Sequence, residues 1–227
     1  MSNWRWWSGI FGLAFVALQV VGIALFVAAG SPPAADDTVK LAAYATKNSS
    51  AFLWVAVVSF FSIGCAYVWL LGIKGVLDDA GKEHAWAGAF TFGVGLIAGA
   101  LALVGFGLIA GAALDAGSPK PEPIAVRAMF EASTGIFGPL GGVTTALFIG
   151  AAAYGTFESG ALPRWTGWVG YIAAALNIVS VFTLFGGTDP NQFFSATGIG
   201  PLLLGLFPFL VYAVVTSIAL MRSKATA

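Results

Sequence analysis

Six stretches of the chain, near residues 6–29, 51–73, 85–113, 138–157, 165–187 and 201–221, contain no charged side chain. Crossing a hydrocarbon core of about 30 Å takes about 20 predominantly apolar residues in a helix, so each stretch is long enough to cross once. Composition leaves little alternative. Only 9% of the residues are charged and mean hydropathy is +0.90, whereas soluble domains carry about a quarter charged residues. Such a chain cannot cover a globule with polar side chains. The pattern predicts an all-α integral membrane protein: one domain over 1–227, about six transmembrane helices in a compact glycine-packed bundle, and short interfacial outer helices. Arg5 precedes the first apolar run, but that run exceeds a signal-peptide h-region of about 7–15 residues, so it reads as a retained helix.

Basic residues orient the threading. With the N-terminus inside, Arg5, Lys74, Lys82, Arg164, Arg222 and Lys224 fall on inner segments, and Lys40, Lys47, Lys120 and Arg127 on outer ones. The inner charges hug the helix ends, which places both termini in the cytoplasm. Trp4, Trp6, Trp7, Trp165 and Trp168 fall where an aromatic belt anchors a bundle at headgroup depth.

The third run holds Gly95 with Gly99 and Gly107 with Gly111. This small-xxx-small spacing permits close helix approach where lipid offers no hydrophobic drive, and predicts that the third span is the bundle's centre. Pro208 predicts a kink in the sixth. Gln19 and Asn177 fall at mid-membrane depth. An unpaired amide in hydrocarbon costs several kcal/mol, so both are expected to face protein, as hydrogen-bonded glue or as part of a polar site.

The segment after DAGSPKPEPI runs without breaks from about 124 to 157, too long for one perpendicular span. Arg127, Glu131 and Thr134 share one helical face, with Val126, Met129, Phe130, Ile136 and Phe137 opposite. That pattern predicts an amphipathic helix over 124–135, lying at the outer interface, with the glycines and proline of 135–142 bending the chain into the membrane. Arg127 and Glu131, four apart, can pair. Glu131 is then either an interfacial carboxylate beside an arginine or part of a site under the outer loops.

Equal numbers of basic and acidic residues, 10 each, leave no field to attract nucleic acid. Cys65 is the single cysteine and His84 the single histidine, which leaves no metal-ligand set. No Walker A loop, GxSxG elbow, HExxH helix or dinucleotide fingerprint appears. Charge-free spans argue against proton relays and charge-coupled pumping. No catalytic, cofactor-binding or metal-binding residue is assigned. The candidates for a ligand site or polar core are Glu131, Arg127, Gln19 and Asn177.

The segments DDTVKLAAYATKNSSAFLWVAVVSFFSIGCAYVWLLGIKGVL and LPRWTGWVGYIAAALNIV resemble a broad group of small bacterial polytopic membrane proteins catalogued as domains of unknown function. Leu162, Pro163, Arg164 and Trp165 match that group's inner turn, and Tyr44 its short outer helix. The resemblance implies a bacterial inner-membrane location and a helical bundle, and supplies no activity. The expected function is a non-enzymatic component that binds a lipid, a hydrophobic ligand or a partner subunit through its outer loops. A channel or uncoupled transporter for a small neutral or apolar solute, with Gln19 and Asn177 in its path, is the second reading. A membrane enzyme using Glu131, Asp115 and Asp189 is the third.

Overall fold

The structure is a computed structural model that describes residues 4–30, 32–33 and 37–223. Helices α1 (Trp4–Ala28), α3 (Ser49–Asp79), α4 (Ala85–Ala116), α6 (Gly141–Ser159), α7 (Arg164–Val181) and α8 (Phe207–Arg222) carry the six apolar runs. The shorter α2 (Thr38–Lys47) precedes α3, and α5 (Pro123–Gly135) follows α4. Lys74 and Asp78 ion-pair one turn apart, so α3 continues past its first charge and ends at Asp79.

Consecutive spanning helices lie side by side, and α8 returns to α1, so the order α1, α3, α4, α6, α7, α8 closes a ring. Side chains fill its axis. Trp69 and Tyr212, both buried, meet edge to face with centroids 6.2 Å apart. Phe209 reaches Phe15 at 5.4 Å, Phe148 at 5.6 Å and Trp69 at 6.2 Å. In lipid, where apolar burial gives little drive for association, this interlocking supplies dispersion contacts that mobile acyl chains do not match.

The helix expected at the centre is not there. Most of the main core comes from α3, α6 and α8, while α4 adds only Ala87 to its buried residues. The glycines of α4 receive side chains instead: Leu70 packs on Gly95, Tyr67 on Gly99, Phe137 on Gly105 and Met129 on Gly111, while Gly93 and Gly107 face open space. Small residues therefore mark where neighbours lean in, not where the axis lies. A tighter approach between spanning helices is elsewhere. A Cβ on Gly12 of α1 would collide with Ser217 of α8 and the Trp69 ring of α3.

The helix expected over 124–135 is present as α5, but the chain does not bend away after it. Residues Ile136–Leu140, with Pro139 among them, form a π-helical turn, and the helix runs on into α6. A π turn widens the ring of backbone bonds and absorbs a missing proline donor. Contacts of Met129 with Gly111, Phe137 with Gly105 and Gly155 with Ala87 show the long helix running antiparallel to α4 along its length. The apolar face of α5 is covered by protein: Val126 is buried with Ala45, Ala112 and Ala116, and Met129 and Phe130 pack on them. Its amphipathic pattern reports contact with α2 and α4. Pro208 likewise follows a π-helical segment, Pro201–Leu206, that leads into α8 without a break.

Two storeys result. Phe148 and Phe209 are in ring contact and so share a level. Counting back at about 1.5 Å per residue, the π-helical start of α8 at Pro201 lies about 12 Å above that level and the start of α5 at Pro123 about 37 Å. The far end of α4, α5, α2 and the beginning of α3 thus form a cap beyond the level of Pro201, by roughly 25 Å of helix length. It has its own core around the fully buried Phe52, whose ring lies 5.5–5.9 Å from those of Phe130, Tyr44 and Phe26. The Tyr44 hydroxyl donates to Gly30 O at 2.7 Å, and the Thr46 hydroxyl to Ala116 O at 2.8 Å. These bonds tie α2 to the ends of α1 and α4.

Candidate functional site

The described parts of both chain ends lie on the side opposite the cap, as six crossings require. There Gly160 takes a left-handed conformation, φ +65°, and ends α6, its N–H donating to Thr156 O at 3.0 Å. Ser159 accepts the Ala161 N–H at 3.1 Å, and Pro163 precedes α7, a position where its missing N–H leaves no bond unmade. Leu162 and Pro163 are therefore half of a tight α6–α7 turn.

Facing this turn are the first turn of α1 and the last turns of α3 and α8. Arg5 Nη2 donates to Asp79 Oδ2 at 2.7 Å, and the Arg5 guanidinium lies 5.4 Å from the centre of the Trp4 ring. The Arg5 side chain is 11% exposed and that of Asp79 51%. Between these elements opens a cleft of about 630 Å³. Its floor is apolar, with Val76, Leu162 and Ala219 nearly buried. Its rim carries Arg5, Asp79 and Arg222. Trp7, Trp86, Trp165 and Trp168, each more than half exposed, surround the same end of the bundle, where indole rings favour headgroup depth.

Of the four residues predicted from sequence, Arg127 and Glu131 pair with each other in the cap as their spacing predicts, while Asn177 and Gln19 lie in the ring. Arg127 Nε donates to Glu131 Oε1 at 2.8 Å on the exposed face of α5, in the cap. Asn177 is buried and donates to Ala173 O at 2.9 Å and Gly205 O at 3.1 Å, joining α7 to the π-helical segment that leads into α8. Gln19 lies on the buried face of α1 with Phe15 and Gly22. None of the four lines the cleft.

The three carboxylates of the enzyme reading are each engaged locally. Asp115 Oδ2 accepts the Glu122 N–H at 3.0 Å across the proline loop. Asp189 accepts from the Asn191 N–H at 3.0 Å, and Glu131 holds Arg127. Among the described residues, no three His, Cys, Asp or Glu side chains gather as a metal would require.

Sequence reasoning missed the cleft because its charged residues, 5, 79 and 222, lie at three distant points of the chain. Arg5 and Arg222 carried only the signal of inner helix ends. No protein family, curated protein or solved structure matches the chain.

Proposed function

We propose that this chain is a non-enzymatic, multi-pass component of a bacterial inner membrane, with both termini cytoplasmic, that holds a lipid-like amphiphile in the cleft at its terminal end. The observation that carries the reading is the pairing of an apolar floor (Val76, Leu162, Ala219) with an arginine-bearing rim inside a concavity of about 630 Å³. That size is within the range of about 300–1,000 Å³ common for ligand pockets. Its place among exposed tryptophans sets it beside the headgroup layer, where amphiphiles are abundant.

The conduction reading finds no comparable support. The Asn177 amide nitrogen is engaged by two backbone carbonyls, and aromatic side chains from α1, α3, α6 and α8 fill the ring's axis.

Extraction in a mild detergent followed by native mass spectrometry tests the proposal. The protein is expected to retain bound lipid, and Ala161→Trp, which places an indole in the cleft, to reduce retention. Protein released free of lipid under conditions that preserve its fold would overturn the reading. Reporter fusions at the two termini test the orientation; a periplasmic signal from either would refute it.

A further inference from the structure

Resting on that reading, we infer that the amphiphile carries an anionic headgroup, and that Arg222 is the residue that takes its oxygens. The cleft holds two guanidinium groups and one carboxylate. Asp79 is already engaged with Arg5 at 2.7 Å. Arg222 is exposed in the last turn of α8 and has no carboxylate partner among the described residues. Among the described residues, the Arg222 charge therefore stands without a carboxylate partner above an apolar floor.

Local chemistry leaves the Arg222 fork available. The nearby α8 carbonyls are served by Ser223, whose N–H donates to Ala219 O at 2.9 Å and whose hydroxyl donates to Leu220 O at 2.8 Å. A guanidinium presents a planar pair of donors that matches a phosphate or carboxylate in bidentate fashion. A zwitterionic headgroup would bring an ammonium close to Arg222 and Arg5, with, among the described lining residues, only an already paired Asp79 to receive it. An anionic headgroup meets no such opposition.

The experiment uses the full chain in nanodiscs of equal phosphatidylglycerol and phosphatidylcholine, with retained lipid identified by native mass spectrometry after detergent release. Wild type is expected to retain phosphatidylglycerol over phosphatidylcholine by roughly fivefold or more, as a charge-assisted contact at a partly desolvated rim would give. Arg222→Gln should bring the ratio close to one, and Arg222→Lys should keep part of the preference. Asp79→Asn, which raises the rim's net charge by one, should increase it by roughly twofold. Thermal melting of each variant verifies that the bundle is intact.

A preference unchanged in Arg222→Gln, or equal retention of the two lipids by wild type, overturns the anionic assignment while leaving the lipid-holding reading in place. Loss of all retained lipid from folded wild type overturns both. If inorganic phosphate, added alone to delipidated protein, protects against heating as well as phosphatidylglycerol does and with the same Arg222 dependence, the cleft takes a free oxyanion and the amphiphile is the wrong ligand.

Discussion

Glu131 accepts a hydrogen bond from Arg127 at 2.8 Å, one helical turn away, on the outward face of the cap. The two side chains are 43% and 38% exposed, on the surface of the cap. Exposed pairs of this spacing contribute only about 0.3–0.5 kcal/mol. Glu131→Gln is therefore expected to shift unfolding by less than about 0.5 kcal/mol and to leave lipid retention unchanged. A thermal melt in detergent checks the first, and native mass spectrometry the second.

Trp69 has the opposite standing. It is fully buried and touches Phe15, Phe209 and Tyr212, so it holds α1, α3 and α8 against one another. Trp69→Ala would leave a void too deep for lipid to fill and should cost about 3–5 kcal/mol. A melting temperature within a degree or two of wild type would contradict this.

Beside Trp69 the packing has no slack. A Cβ on Gly12 meets Ser217 Oγ and the indole, so Gly12→Ala should destabilise by about 1–3 kcal/mol through overpacking. The Ser217 hydroxyl itself is buried without a hydrogen-bond partner. Ser217→Ala removes an unsatisfied polar group and should be neutral or raise stability by about 1 kcal/mol. In the double variant the second change should recover part of the cost of the first. A double-mutant cycle of melting curves in detergent measures that coupling.

Acid should loosen α2 before the ring. Asp37 accepts the Lys40 N–H at 3.0 Å and pairs with the Lys40 ammonium at 2.8 Å. The side-chain bond with Lys40, and then the bond from its backbone N–H, hold the Asp37 carboxyl below its ordinary range. A carboxyl whose folded value is depressed contributes fully above its unfolded value, near about pH 4, and loses that contribution as pH falls through the folded value. A spin label at the exposed Ala43 should therefore gain mobility as the pH is lowered through that window. In Asp37→Asn the change attributable to this carboxyl should vanish. Mobility that stayed constant in wild type would rule the capping role out.

The spans were legible in the sequence because lipid imposes a single demand, a long apolar helix, that leaves a one-dimensional trace. The Arg127 and Glu131 pair was legible for a similar reason: residues four apart on a helix meet whatever surrounds them. What encloses an apolar face leaves no such trace. Val126, Met129 and Phe130 would look the same against headgroups as they do against α4, so the cap stayed hidden behind an interfacial reading. The glycines of α4 showed where side chains are small but not which neighbour exploits them. The cleft lay further out of reach, because bringing residues 5, 79 and 222 together depends on the closing contact between α8 and α1, which no local pattern encodes.

The long helix through α5 and α6 belongs to both storeys of the molecule, and its partner α4 does too. The continuous α1 and α3 also reach from Phe15 and Trp69 in the ring to Phe26 and Phe52 in the cap, so swivelling the upper storey as a separate lobe would break backbone bonds in several rods at once. In the longer rod, the turn at Ile136–Leu140 is the exception, where Pro139 supplies no N–H and the ladder is already widened. The widened ring of backbone bonds at those five residues eases bending of this rod, while the unbroken α1, α3 and α4 beside it oppose any tilt between the storeys.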